Sequence, residues 1–327
     1  MSASQSIITL LKTHYPNGID LTSLAQLSDK SEQACMDLVL SLKKNGYPIS
    51  LNNQSVSFTL PLIHPPVIEG KLKVAKLDNA IYFKDSLAST NTTALLNLDH
   101  FNSDTLVLTD HQTNGKGRLG RKWSDTLGKS VAFSLVLKPT IAHDQIPLFT
   151  QLAAAALCLT LSKFGDTKIK WPNDLILNGK KVAGILTESQ FSGSNLIGVV
   201  IGIGINTNKA KDDFDSDLKK KATSLLIEYD KIIDPNALIS DYSINFYRLY
   251  SDWIASSDSS PFIAICRSSS LLIGKEIKVS TNSEEERVAL VKDINDYGEL
   301  IIQYNDEAIP RTLRTLNYSI RGLNGYV

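Results

Sequence analysis

Ile7, Leu10, Leu11 and His14 fall at i, i+3, i+4 and i+7, one stripe of a helix that Pro16 and Gly18 stop. A short helix follows at about 22–28, and a third opens at Ser31, a good N-cap residue. The third helix turns Cys35, Leu38, Val39 and Leu42 inward and ends at Asn45-Gly46. Beyond it, YPISLNNQSVSFTLP holds two short β-rich runs around Asn52-Asn53, a hairpin. Helix, helix, turn, helix, hairpin is the order of a winged helix-turn-helix, and a small helical docking module fits the same pattern.

Pro61, Pro65, Pro66 and Gly70 then mark a linker with one helix beyond it. IYFKDS, TLVLTDHQ and SVAFSLVLKP read as strands, and LFTQLAAAALCLTLSKFG as a long helix closed by Gly165. KIKW, DLILNGKKVAGILTES and NLIGVVIGIGIN follow as strands, and the chain returns to helix over 235–257. Turns as tight as Asn178-Gly179 predict antiparallel pairing rather than alternating βαβ units. The runs EIKVS, RVALVKDI, GELIIQY and NYSIR suffice for a small all-β barrel. Three domains result: 1–65, 66–270 and 271–327.

Composition narrows the class. Hydrophobic residues make up 43% and charged residues 21% of 327, an ordinary globular mix. Thirty-four basic residues balance thirty-four acidic ones, so any basic site must be local. Cys35, Cys158 and Cys266 lie far apart with no CxxC spacing, which supports neither a disulfide framework nor a zinc knuckle. The start lacks a basic n-region, and the longest apolar runs, LAAAALCLTL and LIGVVIGIGI, fall short of the roughly 18 residues that span a bilayer. The expectation is a cytoplasmic protein with no membrane partner.

Gly115-Lys116-Gly117-Arg118-Leu119-Gly120-Arg121-Lys122-Trp123 is the strongest local signal. It contains GxGxxG, but a strand rather than a helix follows, so the dinucleotide reading fails on context. Gly128-Lys129-Ser130 ends like a P-loop, yet Trp123 occupies the place of its first glycine. What remains is a glycine-rich loop with four cations and one aromatic, suited to gripping phosphates or simply solvated. Lys170-Trp171-Pro172-Asn173-Asp174 closes a strand, and the turn at 178–179 brings Asp174 and Lys181 face to face. That pair is structural in most proteins; beside a cationic loop, orienting a charge toward a reacting phosphate is the alternative reading. Gly202-Ile203-Gly204-Ile205-Asn206 is a strand end where missing side chains admit a flat ligand. Ser89-Thr90-Asn91 precedes a helical stretch, polar donors at a helix start or merely a cap.

Taken in this order, the elements resemble the bacterial biotin–protein ligases, in particular the bifunctional type with an N-terminal winged helix. The resemblance covers nearly the whole chain and rests on Ser89-Thr90-Asn91, Gln112, the 115–123 loop, KWPND, KVAGIL, GIGIN and the C-terminal NYSIR. It implies an α+β chain: winged helix, a central mixed-sheet catalytic domain similar to biotin/lipoate ligases and class II aminoacyl-tRNA synthetases, and a small SH3-like β-barrel. It also implies activation of biotin by ATP and Mg2+ to biotinyl-5′-AMP, then transfer to a lysine of the biotin carboxyl carrier protein of acetyl-CoA carboxylase. Lys181 matches the lysine bridging carboxylate and phosphate, Asp174 the acid that positions it, and Arg118 and Arg121 the adenylate loop. Ser89, Thr90, Asn91 and Gln112 match positions around the ureido head, and Trp123 an apolar wall. Gly115, Lys116, Gly117, Gly184, Gly204 and Asn206 complete the matched ligand positions, and no residue is read as a metal ligand. Lys116 departs from the arginine common at its place, a point cation instead of a bidentate fork. The charged segment 209–224 matches a mobile second loop over the adenine.

The resemblance further implies a homodimer when the adenylate is bound and, in bifunctional members, an operator-DNA partner. The charges oppose the latter. Residues 1–65 hold no arginine, four lysines (12, 30, 43, 44) and four acids (Asp20, Asp29, Glu32, Asp37), so operator binding is expected to be weak. Two rival classes stay open: a lipoate or octanoate ligase, and a transcription factor using the enzyme domain only as a biotin sensor.

Overall fold

The computed structural model describes residues 2–52, 55–280, 286–314 and 318–323, with backbone only at Ser319. Asn53 of the expected hairpin turn and Asn317 of NYSIR lie outside the described residues.

The N-terminal unit runs α1 (Ala3–Thr13), β1 (Ile19–Asp20), α2 (Leu21–Ser28), α3 (Glu32–Lys44), β2 (Ile49–Asn52) and β3 (Ser55–Phe58), with strand order β1-β3-β2. Each helix opens on a side-chain cap: Ser2, Asp20 and Ser31 accept from the backbone N–H three residues on. Ile7, Leu11, Leu24, Cys35, Val39 and Val56 close a small core of their own. This is the winged-helix order.

After α4 (Pro65–Val74) come β4 (Ile81–Leu87), α5 (Thr90–Leu96), β5 (Thr105–Gln112), β6 (Ser130–Leu137), α6 (Leu148–Leu161), β7 (Thr167–Lys170), β8 (Asp174–Leu177), β9 (Lys180–Ser192) and β10 (Asn195–Asn206). The strands form one sheet in the order β4-β5-β6-β10-β9-β8-β7. All pairs are antiparallel except β4 with β5, so the sheet is mixed, as the resemblance implies. A parallel pair needs a crossover, and the stretch carrying α5 supplies it. Both faces are covered, which is why β6 is buried at every position. Leu106, Leu108, Phe133 and Leu135 pack in the main core with α6, while Val107, Val136 and Val200 pack with Ala94 and Leu98 on the other face.

One described helix, 143–164, is apolar and long enough by composition to cross a membrane, contrary to the count of short runs. It contains α6, whose Phe149, Leu152, Ala153 and Leu157 are fully buried in the core.

The chain continues through α7 (Ser216–Lys219), α8 (Leu225–Tyr229), α9 (Pro235–Ser256) and α10 (Ser260–Ser268). β11 (Glu276–Ser280), β12 (Arg287–Ile294), β13 (Leu300–Tyr304), β14 (Arg311–Leu313) and β15 (Ser319–Gly322) make an antiparallel sheet in the order β14-β13-β12-β11-β15. The unit expected as a small SH3-like barrel is thus five antiparallel strands, with no ladder between β14 and β15 among the described residues. It docks where Trp171 Nε1 donates to the Gly298 carbonyl at 2.9 Å.

The winged helix is tied to the seven-stranded sheet by a buried ion pair. Lys12 Nζ of α1 lies 2.5 Å from Asp110 Oδ2 on β5, with side chains 4% and 1% exposed. Asp110 Oδ1 accepts the Ile63 N–H at 2.8 Å, and Lys12 also sits over the Phe83 ring at 4.5 Å.

Candidate active site

A cleft opens where β5, β6, β9 and β10 meet the start of α5. It brings together Ser89, Thr90, Asn91, Gln112, Lys116, Gly117, Arg118, Trp123, Lys181, Gly184 and Gly204, eleven positions singled out by sequence.

One wall is neutral and hydrogen-bonded. Ser89 caps α5 through the Thr92 N–H, so the turn that follows points Thr90 and Asn91 inward, both buried. Gln112 Oε1 accepts from Thr90 N at 2.8 Å and from Thr90 Oγ1 at 3.2 Å. With its oxygen so engaged, Gln112 keeps its NH2 for a ligand acceptor. Asn91 Nδ2 donates to the Leu186 carbonyl (3.0 Å) and to Glu188 Oε2 (2.9 Å), and its oxygen accepts from Ser134 Oγ at 2.6 Å.

The other wall is charged. Lys181 Nζ lies 2.5 Å from Asp174 Oδ1, with the side chains 28% and 16% exposed. The two are not directly opposed: Asp174 pairs with Gly184 and Lys181 with Ile176, across a ladder irregularity after Leu175. The missing side chain at Gly184 makes room for the lysine, since a Cβ there would sit 3.1 Å from Lys181 Nζ. Arg118 Nη1 donates to Asn173 Oδ1 at 3.0 Å, and burial lowers its pKa, with Asp174 pulling it up and Arg121 down. Lys170 is pushed down to about 8, first by burial and then by Lys181, Arg121 and Arg321, against the pull of Asp174. Such a crowd of cations favours any anion that neutralises it.

Four expected positions do not line the cleft. Gly115 backs it, because a Cβ there would meet the Trp123 carbonyl at 2.6 Å. Arg121 is exposed at the loop, and Asp174 acts through Lys181. Asn206, expected at the ligand, instead donates to the Thr223 carbonyl at 3.1 Å and pins the second loop. That loop, expected to be mobile, is a 3-10 turn and α7 whose end pairs with β9: Lys181 N donates to Lys221 O at 2.8 Å and Thr223 N to Lys181 O at 2.9 Å. The glycine stripe on β10 also differs in use. A Cβ on Gly202 would lie 2.1 Å from Asn91 Oδ1, and one on Gly204 2.6 Å from the Trp123 ring. The glycines therefore admit Asn91 and Trp123, which in turn face the cleft. Trp123 Nε1 is buried without a protein partner among the described residues.

Sequence reading missed Ser134, Asn173, Lys170, Glu188 and Arg321. A single hydroxyl inside the apolar run of β6 was the available signal for Ser134. Arg321 was inside the quoted NYSIR, but only the folded chain brings β15 near Lys170.

A magnesium ion takes near-octahedral oxygen ligands and keeps several waters, using one or two carboxylates plus substrate phosphates. The described residues contain no group of three or more His, Cys, Asp or Glu placed to hold a metal, and Asp174 is engaged by Lys181. The residues present do not build a dedicated magnesium site, and no step below runs through one.

Residues 83–206 match the biotin/lipoate A/B protein ligase family. A bifunctional ligase/repressor BirA from Bacillus spizizenii is 36% identical over 300 residues, 88% of this chain and 90% of that protein. A biotin–[acetyl-CoA-carboxylase] ligase from Paracoccus denitrificans is 33% identical over 225 residues, 66% of this chain and 90% of its own length. Among solved structures, a biotin protein ligase from Aquifex aeolicus in complex with biotin and ATP matches with a TM-score of 0.62 at 23% identity, over 75% of this chain and 100% of that one, a likeness of fold. A cleft with one neutral and one cationic wall, on this sheet and at this level of identity along nearly the full chain, leaves one conclusion: the chain belongs to the biotin–protein ligases.

Proposed function

We propose that the protein, in the cytoplasm, joins biotin to ATP to give biotinyl-5′-AMP and pyrophosphate, then passes the biotinyl group to a lysine of the biotin carboxyl carrier protein of acetyl-CoA carboxylase. The observation that carries this reading is the Lys181–Asp174 pair at 2.5 Å, set across one cleft from the Thr90–Gln112–Asn91 network. The ureido head is neutral and needs donors and acceptors, which the network holds in fixed directions. The carboxylate of biotin must approach the α-phosphate, two anions brought together. Lys181 places its ammonium between them, and Asp174 keeps it there without entering the reaction. Arg118, Lys116 and the Lys170–Arg321 cluster supply charge for the remaining phosphates. Trp123 gives the rings an apolar wall. Magnesium enters with the nucleotide. In the second step, the carrier lysine attacks the mixed anhydride at its acyl carbon and AMP leaves with the phosphate oxygen. The test is direct: with biotin, ATP, magnesium and a carrier domain, the carrier's mass rises by one biotinyl group. No gain in mass would refute the reading.

Arg118→Gly should release the adenylate faster while adenylation itself persists in part, because the loop holds the intermediate rather than making it. Escaped biotinyl-AMP then labels bystander lysines. Trapping with a radiolabelled adenylate measures the dissociation rate, and an unchanged rate would remove Arg118 from this role.

Dimer formation on adenylate binding belongs to the same proposal, and sedimentation with and without biotinyl-AMP reads it. Repression through the winged helix is the second reading, prompted by the bifunctional relatives. The surface argues for weak DNA binding. Lys12 is buried against Asp110, leaving three lysines against four acids in residues 1–65. On α3, Glu32, Gln33 and Asp37 are exposed and already bonded, Glu32 to Thr22 and Asp37 to Gln33. Affinity for DNA comes largely from cations on phosphates, so micromolar or weaker binding is expected at physiological salt. A nanomolar, sequence-specific complex of the adenylate-bound protein with its biotin-operon promoter would overturn this.

A further inference from the structure

Asp125 is a carboxylate sealed from solvent, its side chain 1% exposed, two residues past the end of the basic loop. It does not line the cleft. Its Oδ2 accepts the backbone N–H of Gln112, and its Oδ1 accepts the hydroxyl of Ser130 at the start of β6. The Ser130 oxygen in turn accepts from the Thr126 N–H at 2.9 Å. Asp125 thus closes the 112–125 excursion at its root, binding the end of β5 to the chain that returns from the loop.

Two basic side chains flank it from other elements. His111 Nδ1 lies 3.5 Å from Oδ2. Lys209, buried after β10, donates from Nζ to the Ser124 carbonyl at 2.8 Å and senses the Asp125 charge. A carboxylate acceptor makes charge-assisted hydrogen bonds, the stronger kind.

What it holds is the residue that reads the ligand. Gln112 reaches from that backbone position to Thr90 with its oxygen, and its NH2 is left toward Gly115 and the cleft. We propose that Asp125 is a positioning residue for biotin recognition, acting through the Gln112 backbone without touching the ligand. This rests on the ligase reading above. A backbone N–H freed at that point lets the end of β5 shift, and sub-ångström displacement loosens the Gln112 amide from the ureido head while Asp174 on β8 and Lys181 on β9 stay put.

The test uses the full-length protein, with biotin and ATP titrated separately and steady-state constants measured with the carrier domain. Asp125→Ala should raise the biotin Kd and KM about tenfold or more, the effect of losing a charge-assisted bond, with a smaller rise in the ATP KM through Lys116 and Arg118 on the same excursion. Asp125→Asn keeps an oxygen for the Gln112 N–H and should recover most of the affinity. Added to Gln112→Ala, Asp125→Ala should weaken biotin little further, since both act through one side chain. If Asp125→Ala is insoluble, Asp125→Ser carries the same comparison, with an intermediate rise in biotin Kd expected. An unchanged biotin Kd, equal losses for biotin and ATP, or Asn as damaging as Ala would each overturn the proposal. A parent protein that fails to bind biotin would sink the ligase reading as well, whereas failure of the variants alone would leave that reading standing.

Discussion

Lys181→Ala should slow single-turnover formation of the adenylate by about a hundredfold or more. The ammonium lies 2.5 Å from Asp174 in a cleft whose lining admits no other lysine except Lys116 on the loop. Removing one preorganised charge from the place where charge develops costs about 2.7–4 kcal/mol of barrier, which is that factor in rate. The loss should fall on the rate and much less on biotin affinity, because the residues proposed to hold the ureido head are on the opposite wall. Lys181→Arg should not restore the rate, since a planar fork cannot replace a point charge packed over Gly184. Rapid quench with labelled ATP measures the step. Near-parental adenylation in Lys181→Ala would remove the residue from its assigned role.

The pair that carries this prediction was legible in sequence because a two-residue turn at 178–179 leaves few geometries for its flanks. The same is true of the 115–123 loop, whose composition is unlike a core element. The winged-helix order followed from spaced apolar positions, the Ser31 cap and the β-rich runs beyond them. The parallel direction of β4 and β5 did not, although the helical stretch that separates them was read after Ser89-Thr90-Asn91. The partner of Asn206 was not legible either: a polar residue at a strand end signals an exit from the sheet, and here it bonds the Thr223 carbonyl. Asp125, Ser134 and Glu188 act through contacts made across the sheet, from residues far apart in sequence. Local spacing carries no trace of such contacts. Lys12 shows the limit most clearly, since the N-terminal charge sum counts it as a surface cation and the fold buries it.

That burial leads to the largest stability effect expected in the molecule. Lys12→Ala leaves the Asp110 carboxylate, 1% exposed, without its cation, and breaking a buried pair in this way costs about 3–5 kcal/mol. The pH dependence has a definite sign. Burial is the largest influence on Asp110 and raises its pKa, while the charge and hydrogen bond of Lys12 and the Ile63 N–H pull it back. Without Lys12 the folded-state carboxyl titrates higher still, above its unfolded value of about 3.9. A carboxyl raised in the folded state holds its proton more tightly there, so stability falls as pH climbs from the unfolded pKa through the folded one. The deficit should therefore be larger at pH 8 than at pH 5. Lys12→Met combined with Asp110→Asn removes both charges and keeps an oxygen for the Ile63 N–H, and it should regain most of the loss. Urea denaturation of the three proteins at both pH values reads all of this. A Lys12→Ala variant within 1 kcal/mol of the parent at pH 8 would mean that water reaches the pair and that the winged helix is not bolted to the sheet through it.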